Sequence, residues 1–316
     1  MANNVPKTGA VIGAGTMGPG VAVMMARAGT TVHLMDIDEQ VIERASEVAQ
    51  VAANALKEAG ELTAEGVEQA LGRIHRTTSL EEAVRDAEFV VEAVPEKLEI
   101  KQQVFAEMEA LVSPETILAS NTSGIPISKL QEGRSRAELM VGMHWSNPPH
   151  IIAVIEVIRG KHTSDATVEA TRDYIKAMNQ IPVIEGEIPG FVENRILYAI
   201  MREALHLVEQ GVASVEDIDA TVRWGIGMKL AVIGPLALLD VAGLDIYHSV
   251  ASYLNRDLSS ETGISKTIED RVNRGDLGLK TGKGLFEYAP GEIPKLMQAR
   301  VATMLKLRQT LMEAEV

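Results

Sequence analysis

The chain has 316 residues, 44 acidic against 30 basic side chains, a formal net charge of −14 and no cysteine. The missing thiols exclude disulfides, thiolate metal sites and a cysteine nucleophile, and the charge argues against nucleic acid or an anionic membrane surface as partner. The length predicts two domains; no apolar run reaches the roughly 18–20 residues of a membrane span, and the polar start predicts no secretory leader, so a cytoplasmic protein is expected.

Residues 10–12 form a short apolar run that leads into Gly13-Ala14-Gly15-Thr16-Met17-Gly18. This is a Gly-x-Gly-x-x-Gly loop. Gly13 permits the tight turn, Gly15 lets backbone approach a pyrophosphate, and Gly18 lets the next helix pack close to the sheet. Alone the motif is a weak signal. Its context strengthens it: a helical pattern over 20–28, a turn at Gly29, and a second apolar run over 31–35 ending in Asp36. An acid there can accept hydrogen bonds from an adenosine ribose and repels a 2′-phosphate, so the expected cofactor is NAD rather than NADP.

A long helix follows over 39–57, then a polar helical excursion capped at Thr63 and a short strand near Ile74. Ser79-Leu80-Glu81-Glu82 reads as a capping box. Residues 88–93 read as a buried strand, and Pro95 starts a helix to about Val112. Further strands are expected over 116–120, 139–144, 155–158 and 181–184. The alternation predicts an α/β Rossmann-type, doubly wound, mainly parallel sheet over residues 1–188. After Pro189-Gly190 only helical periods follow: 191–208, 214–222, 235–253, 265–274 and a charged tail over 293–313. They predict an all-helical domain over 189–316 for substrate binding and homodimer formation. The segment 235–253 is apolar around most of its circumference, so it should be buried on several sides.

Oxidising an alcohol with a nicotinamide needs a base for the hydroxyl proton, and histidine suits that task. Of seven histidines only His144 ends a central strand on the side where ligands bind in open α/β sheets. Trp145-Ser146-Asn147-Pro148-Pro149 then forces an irregular loop. Glu156 sits inside the apolar run 155–158, where a carboxylate needs a partner. A His144–Glu156 dyad satisfies it and raises imidazole basicity. No metal site is expected.

These residues resemble the L-3-hydroxyacyl-CoA dehydrogenase family over nearly the whole chain. The shared pattern comprises the Gly-rich loop, Glu92-Ala93-x-x-Glu96-x-x-x-x-Lys101, Ser120-Asn121-Thr122-Ser123, His144-x-x-Asn147-Pro148, Glu156-Val157, Pro189-Gly190-Phe191-x-x-Asn194-Arg195, Gly234-Pro235, Asp240-x-x-Gly243-Leu244-Asp245 and Lys280-Thr281-Gly282-x-Gly284. The resemblance implies an NAD-dependent oxidoreductase. His144 would be the acid–base group and Glu156 its holder, with Ser123 and Asn194 binding the reacting oxygen. Asp36, Glu96, Lys101, Ser123, Asn147 and Lys280 would contact the cofactor beside Gly13, Gly15, Thr16, Met17 and Gly18. Bland readings stand beside these: Lys101 as a solvated helix lysine, Lys280 in a surface turn, Ser123 and Asn194 as helix caps.

The excursion over 54–76 departs from the acyl-CoA pattern. It sets Glu58, Glu61, Glu65 and Glu68 against Lys57, Arg73 and Arg76, a surface poorly suited to a polyphosphate carrier. The strings 122–127, 141–152 and 224–227 resemble the branch that oxidises a pyridine aldehyde acid of vitamin B6 breakdown without CoA. Met143, Trp145, Trp224 and Met228 then read either as the lining of a small flat pocket or as core. The leading expectation is a small carboxylated alcohol or aldehyde hydrate, its carboxylate caught by a cation such as Arg195 or Lys229. A 3-hydroxybutyryl-CoA dehydrogenase, a gulonate- or carnitine-type dehydrogenase, and a crystallin-like structural protein are the alternatives.

Overall fold

Ala10 and Ile12 of β1 (Thr8–Ile12) turn to one side of a sheet and Val11 to the other, as strand alternation requires, and all three are buried. The computed structural model describes residues 5–314; residues 1–4 of the polar start lie outside the described residues. After β1 come β2 (Thr31–Met35), β3 (Ile74–Thr77), β4 (Phe89–Glu92), β5 (Ile117–Ser120), β6 (Met140–Trp145), β7 (Val154–Arg159) and β8 (Ile181–Gly186), in the spatial order β3-β2-β1-β4-β5-β6-β7-β8. Pairing is parallel from β3 through β6, antiparallel between β6 and β7, and parallel again between β7 and β8. This is the Rossmann-type, mainly parallel, doubly wound sheet.

Helices cover both faces. They are α1 (Gly18–Arg27), α2 (Glu39–Glu58), α3 (Ala64–Gly72), α4 (Leu80–Val84), α5 (Leu98–Leu111), α6 (Ile127–Gln131) and α7 (Asp165–Ala177). Val11, Leu34 and Val157 face a core shared with α1, α2, α3 and α7. Ala10, Val90 and Ile158 face a second core, built with α4, α5 and α6. Asp38, Thr63 and Ser79 cap α2, α3 and α4 by accepting from Gln40, Gly66 and Glu82 N–H.

Three expectations change. Ser79 caps α4, but the box is not reciprocal, because the Glu82 carboxylate accepts from Thr77 Oγ1 at 2.5 Å instead. The helix expected from Pro95 begins at Leu98. Lys97 is extended, and Glu96 is pulled across to Thr122 Oγ1 and Ser123 N, which donate to it at 2.5 and 2.9 Å. The short helix that Ser123 would cap is α6, but it starts at Ile127 after Pro126 and has no side-chain cap.

The chain divides into two compact units, Met1–Asn194 and Arg195–Val316. The division falls inside α8 (Phe191–Glu209), slightly beyond the Pro189-Gly190 pair, because the first turn of α8 is hydrogen-bonded to β7 and β8. The second unit is helical: α9 (Val215–Thr221), a π-helical turn at Val222–Gly227, α10 (Met228–Val232), α11 (Pro235–Ala242), α12 (Leu244–Asp257), α13 (Lys266–Arg274) and α14 (Glu292–Glu313). The single helix expected over 235–253 is broken at Gly243, whose φ of +97° ends α11. Within the single chain its apolar side chains are uncovered: Leu236, Val241 and Leu244 are 78%, 70% and 61% exposed. Among the described residues no single helix is long and apolar enough to cross a membrane.

Candidate active site

The loop after β1 has the shape its glycines predict. Gly13 has φ +106°, and its N–H donates to Met35 O at 2.8 Å. A Cβ there would lie 2.5 Å from Ala93 O, and one at Gly18 would lie 1.9 Å from Gly13 O. A Cβ at Gly15 would meet nothing within 4 Å. Gly15 and Thr16 are exposed, whereas Met17 packs partly against the core and Gly18 is buried in α1. The loop is therefore an open cradle of backbone at a helix N-terminus, which suits a pyrophosphate. Asp36 stands at the end of β2, half-buried. Its Oδ2 accepts from Ala14 N at 2.8 Å and its Oδ1 from Asp38 N at 3.1 Å. Each carboxylate oxygen keeps a further lone pair for a ribose hydroxyl. The residues present thus fit a nicotinamide dinucleotide.

Lys101 is placed differently from a solvated lysine or an outward cofactor contact. It is 1% exposed, and its Nζ donates to Glu92 Oε1 at 2.6 Å and to Val94 O at 3.2 Å. Glu96 Oε2 lies 3.3 Å from the same ammonium. With every donor directed inward, Lys101 holds Glu96 and the end of β4. Burial pushes the Glu92 carboxyl up, against Lys101 and the Ser120 hydroxyl, which hold it down. Glu96 in turn accepts from Ser123 N, and Ser123 O accepts from Asn194 Nδ2 at 3.2 Å. Glu96, Ser123 and Asn194 are thereby brought together. Asn147 is exposed on the loop after β6, before a cis bond to Pro148.

His144 and Glu156 are direct partners in the β6–β7 register, and His144 Nδ1 lies 2.6 Å from Glu156 Oε2. Both are buried. The other Glu156 oxygen accepts from Glu193 N at 2.7 Å. Burial acts to raise the Glu156 carboxyl. The hydrogen bonds from His144 and from the Glu193 and Val192 N–H groups outweigh it, and the net direction is down. Glu156 is therefore the anion that holds the imidazole. Phe191, fully buried at φ +52°, packs its ring 5.7 Å from the imidazole centroid.

Three further residues belong to this constellation and were not singled out by the sequence. Glu193 receives a hydrogen bond from Ser146 Oγ. One His144 nitrogen and one oxygen each of Glu156 and Glu193 all lie within 4.8 Å of one another. Glu185 of β8 accepts from Val192 N at 3.4 Å and has its other oxygen buried. The available signal was position: Ser146 and Glu193 flank named motif residues, and Glu185 closes an apolar run.

Of the four residues with two readings, Met143 and Trp145 are core, 0% and 2% exposed, while Trp224 and Met228 are exposed in the second unit. Lys280 also lies in the second unit, exposed on a turn closed by the Gly278–Lys283 bridge. Glu61 is not a free surface acid: it pairs with Arg27 at 2.8 Å, both largely buried. The excursion is accordingly less acidic at its surface than the count of charges implies.

Residues 8–188 match the model of the 3-hydroxyacyl-CoA dehydrogenase NAD binding domain, and residues 190–288 that of its C-terminal domain. The chain is 47% identical to 5-formyl-3-hydroxy-2-methylpyridine 4-carboxylate 5-dehydrogenase of Mesorhizobium japonicum, over 96% of this chain and 97% of that one. It is 38% identical to a probable 3-hydroxybutyryl-CoA dehydrogenase of Deinococcus radiodurans, over 88% of this chain and 99% of that one. A crystal structure of a 5-formyl-3-hydroxy-2-methylpyridine 4-carboxylic acid 5-dehydrogenase, described as an NAD+-dependent dismutase, superposes with a TM-score of 0.91 at 45% identity, covering 96% of this chain and 98% of that one. With both halves of the fold matched and its relatives aligned end to end, the chain belongs to the 3-hydroxyacyl-CoA dehydrogenase family and is an NAD-dependent dehydrogenase.

Proposed function

We propose that the substrate is a small carboxylated aldehyde, taken as its hydrate, or the corresponding alcohol, with a pyridine aldehyde acid as first choice. The observation that carries this reading is the 47% identity over nearly the full length to the pyridine aldehyde acid dehydrogenase. NAD, when bound, supplies the acceptor for the hydrogen that leaves carbon with its electron pair. His144 takes the hydroxyl proton through the nitrogen not bound to Glu156, and Glu156 stabilises the imidazolium so formed. Ser123 and Asn194, joined by their own hydrogen bond, orient the reacting oxygen. Gly13, Gly15, Thr16, Met17, Gly18, Asp36, Glu96, Asn147 and Lys280 serve the cofactor, and Lys101 serves it through Glu96. A homodimer and a cytoplasmic location belong to the same reading. The first is supported by the uncovered apolar residues of α11 and α12, the second by the cysteine-free composition.

The test is a panel: pyridine aldehyde acids, free 3-hydroxy acids and (S)-3-hydroxybutyryl-CoA, each with NAD, following both NADH and products. The expected result is acid formation from the aldehyde. If all the NADH is spent on a second aldehyde, equal acid and alcohol accumulate, since two aldehydes and one water balance one acid and one alcohol; if only part is spent, acid exceeds alcohol by the NADH that remains. Turnover of the CoA ester alone overturns the proposal. That second reading draws support from the 38% identical relative and from the Arg27–Glu61 pairing, which removes one charge from the case against CoA.

A further inference from the structure

Behind the His144–Glu156 pair stands a second carboxyl group. Glu185 lies on β8 beside β7, where Glu156 faces Val183 and Ile158 faces Glu185 in parallel register. Glu156 and Glu185 are therefore diagonal neighbours on one face of the sheet, close enough for long side chains to meet. The two carboxyls are stitched to consecutive N–H groups at the start of α8: Val192 N donates to Glu185 Oε1 and Glu193 N to Glu156 Oε1. Glu185 Oε2 is buried and has no hydrogen-bond donor among the described residues. Two bare carboxylates in that contact have nothing to donate to each other, and buried like charges repel strongly. One proton on the pair removes both problems, because Oε2 then becomes a donor.

We propose that Glu185 is a positioning residue of the active site, a protonated carboxyl that hydrogen-bonds Glu156 and leaves His144 facing one net negative charge from the pair. The groups around it are Glu156 on β7, His144 on β6, and the Val192 N–H and Glu193 at the start of α8. Burial, then the Glu156 charge, push the Glu185 carboxyl up to about 7, while the Val192 N–H and the His144 charge act in the other direction. Glu185 consequently ionises in the neutral range. Below that range the pair carries one charge. Above it the pair carries two, and the imidazole becomes a stronger base. The proton thus couples the strength of the base to pH without touching substrate.

The inference rests on the dyad being catalytic only for its kinetic arm. Glu185→Gln replaces the protonated carboxyl by a neutral isostere that can still donate to Glu156. Infrared difference spectra of the full-length protein, titrated through neutrality, are expected to contain a protonated-carboxyl C=O band that disappears on raising the pH and is absent from Glu185→Gln. In the oxidation direction, kcat/KM of the two proteins should agree roughly one pH unit below the transition and diverge several-fold above it, the variant being slower. A side chain that merely fills space would leave the two pH profiles parallel. A missing band in the wild type, a band that survives in Glu185→Gln, or parallel profiles would each overturn the proposal. Failure of the dyad itself is read separately: an active His144→Ala protein removes the kinetic arm and leaves the infrared band standing.

Discussion

His144 and Glu156 face each other across the antiparallel β6–β7 pair, with Nδ1 of one 2.6 Å from Oε2 of the other. Side chains on paired strands need no loop to meet, so the dyad is built into the sheet. The pairing leaves the second ring nitrogen outside the contact with Glu156, as the proposed proton exchange with substrate requires. Replacing His144 by Gln is expected to lower the chemical step by about 10²–10⁴-fold with NAD affinity unchanged, as read by single-turnover kinetics and cofactor titration. An active His144→Ala enzyme would end the assignment. Glu156→Gln should move the half-maximal pH for oxidation downward, because a neutral amide no longer favours the imidazolium. An unshifted profile would count against the dyad.

Asp36 is the residue proposed to set cofactor choice. Its carboxylate is fixed by Ala14 N and Asp38 N, so it cannot swing away from a 2′-phosphate without giving up both bonds. The like-charge contact should disfavour NADP by about 2–4 kcal/mol, roughly 30–700-fold in kcat/KM. Asp36→Ser keeps a short acceptor near the loop while removing the charge, and should narrow the ratio. Comparable efficiency of the wild type with both cofactors would refute the assignment.

Much of this was legible in the sequence because it is local or periodic. The glycine loop, the alternating strands and the capping residues Thr63 and Ser79 each state their structure within a few residues. The strand-borne His144 and Glu156 were legible because a carboxylate in an apolar run demands a partner. What escaped depends on contacts between distant segments. Lys101 reads as an ordinary helix lysine until Glu92 and Val94 close over it. Glu61 reads as surface until Arg27 reaches it from α1. The start of α5 moves because Glu96 bonds to residues beyond β5. Glu185 and Glu193 become part of the site only when the turn before α8 folds back onto β7.

The Glu92–Lys101 pair carries a stability prediction. Both side chains are at most 1% exposed. Lys101→Met would leave the Glu92 carboxyl buried beside Ser120 with no counter-ion, and breaking such a pair costs about 3–5 kcal/mol. Adding Glu92→Leu should recover part of the loss, because the stranded charge goes with it. Urea unfolding of the two variants measures this. A single variant within about 1 kcal/mol of wild type would show that the pair does not hold the end of β4.

His33 and His75 are register partners on β2 and β3, with ring centroids 5.5 Å apart. Burial, then the His75 charge, lower the His33 pKa, while Glu82 and Asp86 act in the opposite direction. His33 Nδ1 is buried without a hydrogen bond. The folded protein therefore resists a proton that the unfolded chain accepts at about 6.5. Above that pH the group is neutral in both states and costs nothing. Below it the unfolded state binds more protons and stability falls. Thermal melts at neutral and mildly acidic pH should show the loss, and His33→Gln should reduce it. Equal acid sensitivity in variant and wild type would place the effect elsewhere.

The last prediction concerns assembly. In the second unit the helices α9 to α13 bury no residue among those described. Leu236, Val241, Leu244 and Ile246 are all more than half exposed, and Trp224 and Met228 are also exposed. Proteins that act alone rarely expose so many large apolar residues together. Covering them at about 25 cal/mol per Å² is the dominant favourable term available for association. A second copy of the chain is the proposed cover. Sedimentation at micromolar concentration should therefore give a dimer. Leu236→Glu paired with Val241→Glu, both on the exposed surface of α11, should shift it to monomer while the Rossmann-type unit still binds NAD. A wild-type monomer at that concentration would end the idea, and a dimer unaffected by both charges would move the interface away from α11.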